Sequence, residues 1–145
     1  IENWPATLGR DGARTPMPWK AQAPNGGFSD ADPWLPVPSE HAERAVDRQE
    51  RDPSSMLHYV RALIAFRKGE RALVDGDARL VATPEGLVAY ERVHAGRRLL
   101  CVFNLGFEPV AWTPGEGATV LFGAAVEPGP APAVVPVCGG YVAEL

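Results

Sequence analysis

The residues whose types and spacing could do chemistry are few, and the densest group lies near the start, in Arg10-Asp11-Gly12-Ala13-Arg14-Thr15-Pro16. Asp11 can accept the backbone N–H groups of Gly12 and Ala13, organising a turn that would present Arg14. A guanidinium is a rigid fork of donors, able to hold a carboxylate and neutral oxygens at once. Acid–base work by paired carboxylates needs two of them in one cleft. Asp11, Asp30, Asp32, Glu40 and Glu43 are the available carboxylates, and nothing in their spacing brings two together. They read as loop charges and caps. His41, His58 and His94 lie in different elements and share no metal-ligand spacing with Cys101 or Cys138, so no zinc or other metal site is expected. No serine sits in a nucleophile elbow, and no glycine pattern follows a strand to cradle phosphate. No cofactor is expected.

The elements around these residues fall into three regions. The first 38 residues carry Pro5, Pro16, Pro18, Pro24, Pro33, Pro36 and Pro38 together with Gly9, Gly12, Gly26 and Gly27. Proline removes a backbone donor and restricts its predecessor, which argues against regular helix or central strand. The same stretch holds Trp4, Trp19, Phe28 and Trp34. Disordered linkers are poor in large aromatics, so this is an ordered loop, and loops of this length are functional or packed on something large.

Ser39 to Arg51 is polar, with Ser39 a candidate N-cap for a short helical turn. A clearer helix follows over Pro53–Lys68. Asp52 is its expected N-cap and Gly69 its C′ residue, and Met56, Leu57, Val60, Leu63, Ile64 and Arg67 recur at helical spacing. From Asp77 the period changes to two. Arg79–Thr83, Leu87–Val93, Arg98–Asn104, Pro109–Thr113, Thr119–Phe122, Val134–Val137 and Tyr141–Leu145 read as short strands separated by turn signals, the pattern of an antiparallel sandwich. Leu99 to Phe103 is nearly continuous apolar sequence, as in a strand covered on both faces. Glu127 to Pro136 reads as a surface crossover.

Composition excludes several classes. Of the 145 residues, 46% are hydrophobic and 22% charged, and the net charge is −4, which fits a folded globular protein. Arg97-Arg98 and Arg67-Lys68 are too short for a nucleic-acid footprint. No apolar run approaches the ~20 residues that span a bilayer, so neither nucleic acid nor membrane is expected as a partner. Ile1-Glu2-Asn3-Trp4-Pro5 lacks the n-region and apolar run of a signal peptide and has no initiator methionine, pointing to a processed or excised start. Cys101 and Cys138 sit in apolar runs and read as two reduced core thiols in a cytoplasmic protein.

Gly9-Arg10-Asp11-Gly12-Ala13-Arg14-Thr15-Pro16-Met17-Pro18-Trp19 resembles a motif of the alpha-glucosidases of the alpha-amylase family, glycoside hydrolase family 13. The similarity continues in order through Asn25-Gly26-Gly27-Phe28-Ser29, Pro33-Trp34-Leu35-Pro36-Val37, Val46-Asp47-Arg48-Gln49, Asp52-Pro53-Ser54-Ser55-Met56-Leu57 and Arg61-Ala62-Leu63-Ile64-Ala65-Phe66-Arg67-Lys68. The resemblance implies an α+β arrangement. Residues 1–75 would be the aromatic-rich loop and last helix of a (β/α)8 catalytic barrel, and residues 76–145 an all-antiparallel β-sandwich, domain C. It also implies a parent enzyme that hydrolyses terminal α-linked glucose from oligosaccharides by a retaining mechanism, with the rest of the barrel as this chain's partner.

In that family the reactive Asp and Glu lie in barrel motifs that do not occur in this chain, so no catalytic residue is expected in it, and the chain alone should be inactive. By resemblance Arg14 belongs to the floor of a glucose subsite, holding an upstream Asp and sugar hydroxyls, with Arg10 and Asp11 beside it. The alternative for Arg14 is a structural salt bridge pinning the loop. Two other functions fit. One is a transglycosylase or isomerase of the same family, of the sucrose isomerase or trehalose synthase type. The other is a non-catalytic carbohydrate-associated sandwich, which exposed aromatics on the strands would favour; Tyr90, Trp112 and Tyr141 are the candidates, with core positions the preferred reading.

Overall fold

The computed structural model of the chain describes residues 11–145. Two compact units divide it, one ending at Ala62 and one running Leu63–Leu145.

The first unit is held by short turns. Two small helices, α1 (Glu40–Glu43) and α2 (Val46–Gln49), follow the proline-rich loop. Ser39 is already helical at φ −58°, ψ −33° and makes no capping bond with its side chain; in that conformation it extends the turn instead of capping it. The loop is tied to α2 by backbone and side chain together. Val46 N–H donates to the Pro18 carbonyl at 2.9 Å and Asp47 N–H to the Trp19 carbonyl at 3.1 Å. The Asp47 carboxylate accepts Ala21 N–H at 3.0 Å.

The main helix, α3, spans Met56–Gly69 and starts three positions later than its proline suggests. Asp52 spends its carboxylate on Ser54, accepting the backbone N–H at 2.9 Å and the hydroxyl at 2.7 Å. Those bonds hold the Asp52 carboxyl below the usual carboxylate range. The working cap is Ser55, whose hydroxyl oxygen accepts His58 N–H at 3.4 Å and donates to the Gln49 carbonyl at 2.8 Å. The Gln49 side chain accepts Leu57 N–H at 3.1 Å, satisfying a second orphan donor of the first turn. Gly69 is the last helical residue and does not enter the left-handed region. Val60 and Ile64 are exposed and Leu57 half-buried.

The second unit contains a helix not anticipated above, α4 (Arg71–Asp75), followed by strands β1 (Asp77–Val81), β2 (Leu87–His94), β3 (Arg97–Asn104), β4 (Val110–Ala111), β5 (Thr119–Ala124), β6 (Gly129–Pro130), β7 (Val134–Val135) and β8 (Gly140–Glu144). Six of them form an antiparallel sheet in the order β1-β2-β3-β8-β5-β6, and β4 and β7 pair as a second layer. The arrangement is α+β: a few helices followed by an antiparallel sandwich. β6 falls inside the stretch expected to be a crossover.

Ala95 (φ 48°) and Gly96 (φ 85°) join β2 to β3. Two left-handed residues in a two-residue hairpin match the twist of the strands. Pairing then runs in full register from His94↔Arg97 to Leu87↔Asn104.

Between the layers, Leu87, Ala89, Leu100, Val102, Val120, Tyr141 and Ala143 pack with Val135, against half-buried Val110 and Trp112. On the opposite face Leu99, Cys101 and Val142 pack with Ala72 under Phe66, Leu73 and Tyr90. β3 is thus buried on both faces from Leu99 to Val102, in line with its continuous apolar sequence. Asn104 closes the strand as a buried polar group with every bond made. Its amide donates to the Glu108 and Val135 carbonyls at 2.9 and 3.1 Å, and its oxygen accepts Gly106 N–H at 2.9 Å. Cys101 is buried and Cys138 exposed, both free. The expected second core thiol is therefore a surface one: Cys138 occupies a left-handed turn position (φ 53°) outside the strands.

Arg97 anchors this unit. Its guanidinium grips both Glu70 oxygens at 2.8 Å and reaches Glu144 at 2.6 Å. The paired guanidinium lowers the Glu70 carboxyl below its ordinary value. A folded-state pKa below the unfolded one makes the contribution fully present above about pH 4.3 and lost as pH falls through the lowered value. Glu70→Gln should therefore reduce stability near neutral pH and flatten the acid-side decline, as measured by urea unfolding across a pH series. An unchanged acid slope in that variant would mean the pair carries none of it.

Candidate functional site

Residues from three of the loop motifs line a groove of about 370 Å³ in the first unit, and a second groove of about 360 Å³ lies on Pro18, Gly26 and Val37. Arg14, Thr15, Asn25, Phe28, Asp32 and Trp34 are among the residues that line the first of these. Each wall has a local cause. Asp11–Ala13 form a single 3-10 turn, closed by the Asp11 carbonyl accepting Arg14 N–H at 2.9 Å. Thr15-Pro16 then carries the chain away from the turn. The far wall begins at Asn25-Gly26-Gly27, three consecutive left-handed residues at φ 51°, 65° and 69°. A side chain at Gly26 would come within 3.0 Å of the Pro18 backbone, so glycine lets the two limbs of the loop touch.

The Arg14 guanidinium lies 3.8 Å from Asp11, and the two side chains are 54% and 45% exposed. A contact this long and this wet is a weak tether. Phe28 and Trp34 are exposed at 56% and 76%. Residues 28–34 form no helix or strand of their own, so the loop offers these two rings only the groove. Asp30, Asp32, Glu40 and Glu43 are all exposed. The two carboxyls whose ionised form the fold favours, Asp52 and Glu70, serve the approach to α3 and the Arg97 cluster. Among the described residues, no three of His, Cys, Asp or Glu gather as metal ligands. Arg10 lies outside the described residues.

Chemically the groove offers a fork of donors, a carboxylate and two flat apolar faces. That set can bind a neutral polyhydroxylated ligand: guanidinium and carboxylate take hydroxyls, and aromatic rings cover apolar ring faces. The sandwich offers no comparable surface among the three candidate aromatics, since Tyr141 is buried and Tyr90 and Trp112 are half-buried. Asp32 and Asn104 were not among the site or core residues expected from sequence, whereas Asn25-Gly26-Gly27-Phe28 reads from its glycines and its aromatic as the border of a substrate cleft, and Asn25 and Phe28 do line the groove.

Residues 1–76 match the family described as alpha amylase, catalytic domain. The chain belongs to the alpha-amylase family. Residues 75–137 match a second family, described as Domain of unknown function (DUF3459). A probable alpha-glucosidase of Rhizobium meliloti is 46% identical over 74% of this chain, which covers 19% of that protein. Among solved structures, the alpha-glucosyl transfer enzyme XgtA superposes with a TM-score of 0.78 at 36% identity, over 97% of this chain and 27% of that one. The trehalulose synthase MutB from Pseudomonas mesoacidophila MX-45 gives a TM-score of 0.78 at 28% identity, over 94% of this chain and 26% of that one. The chain thus spans about a fifth to a quarter of the length of these alpha-amylase-family relatives. It corresponds to their C-terminal part, the end of the barrel plus domain C.

Arg14→Ala in this chain should leave stability within about 0.5 kcal/mol of wild type, since the lost ion pair is long and exposed. Thermal unfolding of the two proteins checks this; a large loss would reinstate Arg14 as a structural pin.

Proposed function

We propose that this chain is the C-terminal part of an alpha-amylase-family enzyme that cleaves an α-glucosidic linkage with retention and passes on the glucosyl unit. In this reading residues 1–75 close the catalytic barrel and residues 76–145 form domain C. One observation carries it. Arg14, on residues that match the catalytic-domain family, stands exposed at a groove beside Phe28 and Trp34. Arg14 is the glucose-subsite residue, with Asp11 and Arg10 beside it, and the bond-breaking carboxylates come from the remainder of the barrel. A retaining pair must sit about 5–5.5 Å apart across the scissile bond, and the loop carboxylates Asp30, Asp32, Glu40 and Glu43 are all exposed.

Unpartnered apolar surface supports the barrel as partner. Met56, Val60 and Ile64 form an exposed stripe at four-residue spacing along α3. On the sheet, Leu80, Val88 and Phe103 are exposed as well, Leu80 at 86%, and so is Leu105 just beyond β3. No helix among the described residues is long and apolar enough to cross a membrane. The free thiols Cys101 and Cys138 support a cytoplasmic location.

Transfer to a sugar acceptor, including isomerisation of a disaccharide, is the reading favoured by the two solved structures, which match nearly the whole chain. Hydrolysis is the second reading, supported by the relative named a probable alpha-glucosidase. Product analysis of the full-length enzyme acting on sucrose or maltose separates them: new disaccharides mean transfer, free monosaccharides alone mean hydrolysis.

Two outcomes test the proposal itself. The isolated chain should release no nitrophenol from a nitrophenyl α-glucoside, and turnover by the pure chain would overturn the assignment of the acids elsewhere. In the full-length enzyme Arg14→Ala should cost about 2–5 kcal/mol of transition-state binding, read from kcat/KM, because a buried charge-assisted contact is lost. Near-normal kinetics there would remove Arg14 from the subsite.

A further inference from the structure

We infer that Asn25 is the positioning residue of the Arg14 groove, holding the wall that carries Phe28 and Trp34. The inference rests on the binding role proposed above. The Asn25 amide nitrogen donates to two backbone carbonyls, Ser29 at 3.2 Å and Ala31 at 3.1 Å. Its own carbonyl accepts Phe28 N–H at 3.2 Å. Within the strap so gathered, the Ser29 hydroxyl oxygen accepts Ala31 N–H at 3.1 Å. Residues 28–34 contain no helix or strand, so side-chain bonds from Asn25 substitute for a backbone ladder. Asn25 also lines the groove itself, together with Phe28, Ser29, Ala31 and Trp34.

The position selects asparagine on two separate counts. At φ 51°, ψ 30° the backbone is left-handed, which glycine, asparagine and aspartate tolerate and other residues resist. Of those three, only the amide has two N–H donors to give. Glycine would keep the turn and drop the strap. Aspartate would keep the turn and aim a carboxylate at two carbonyl oxygens. Asn25 therefore acts on ligand binding through the wall, without touching reacting atoms.

The test compares Asn25→Gly, Asn25→Asp and Arg14→Ala. In the chain itself, amide hydrogen exchange over residues 29–34 should speed up in both Asn25 variants. In the full-length enzyme, Asn25→Gly should raise KM for a nitrophenyl α-glucoside about three- to tenfold, the scale of one or two lost hydrogen bonds, with kcat within about twofold. Wild-type exchange and wild-type KM in Asn25→Gly would overturn the role, because the backbone conformation alone would then suffice. If Arg14→Ala still collapses kcat/KM in that case, only the positioning role has failed. If Arg14→Ala is also normal, the binding role of the groove has failed with it.

Discussion

Strand β3 is apolar on both faces, and such a strand can exist only if something covers each of them. The chain supplies both covers from its own sequence. The short β4–β7 layer brings Val110, Val135 and Trp112 down on Leu100 and Val102. On the other side α4 and Phe66 lie over Leu99 and Cys101, with Phe66 stacked on Phe122 at 5.2 Å between ring centres. Each fully buried leucine or valine contributes roughly 1.5–3 kcal/mol against exposure, so these two covers decide the stability of the second unit. The polar groups nearby serve the same end. Arg92 caps α4 by donating to the Ala72 and Leu73 carbonyls at 3.1 and 3.2 Å, and Asn104 stitches the end of β3 to β7.

The cover is incomplete in a definite place. Rows of residues cross the sheet from strand to strand, and Leu80, Tyr90, Cys101 and Val142 occupy one of them. Its middle is buried, while Leu80 at its end is open. The next row runs Val88, Phe103, Gly140. There Phe103 lies so close over Gly140 that a side chain at that glycine would strike its ring, and it tilts against Tyr90 at 6.1 Å. Phe103 thus fills its own row on the inner side and leaves its outer side unpacked. An apolar row that is built flat, continuous with a buried one, and then left open is the kind of surface that seats another element.

Much of this was legible because it follows from period. Alternation gave most of the strands, and the unbroken run from Leu99 predicts burial on both faces. The helix was legible from Met56, Leu57, Val60 and Leu63, but its start was not. Asp52-Pro53 carries the composition of a cap, yet Ser54 offers the Asp52 carboxylate two closer donors than the helix does, and the cap passes to Ser55. Local competition between side-chain and helical bonds decides such boundaries. α4 escaped notice because five residues are too short to show a period. Cys138 was misplaced because its apolar neighbours belong to a turn. At the groove, the motif drew attention to Arg14, but the role of Asn25 depends on two carbonyls four and six residues ahead, which no residue-type rule encodes.

The electrostatics of Arg14 set the terms for any account of the groove. In this chain the guanidinium is half in water, so its weak tether to Asp11 costs nothing. Closing the groove over a ligand would remove that water. A buried guanidinium with one carboxylate 3.8 Å away is poorly compensated, and the penalty for an uncompensated buried ion is several kcal/mol. Hydroxyl groups of a neutral ligand cannot repay it, because they supply dipoles and no charge. A closer carboxylate would offset that penalty, whether Asp32, which lines the same groove, or one supplied by the barrel of the proposed full-length enzyme. Only desolvation turns the charge of Arg14 into a cost that must be met, so the proposed binding role and a small effect on the stability of the chain are compatible.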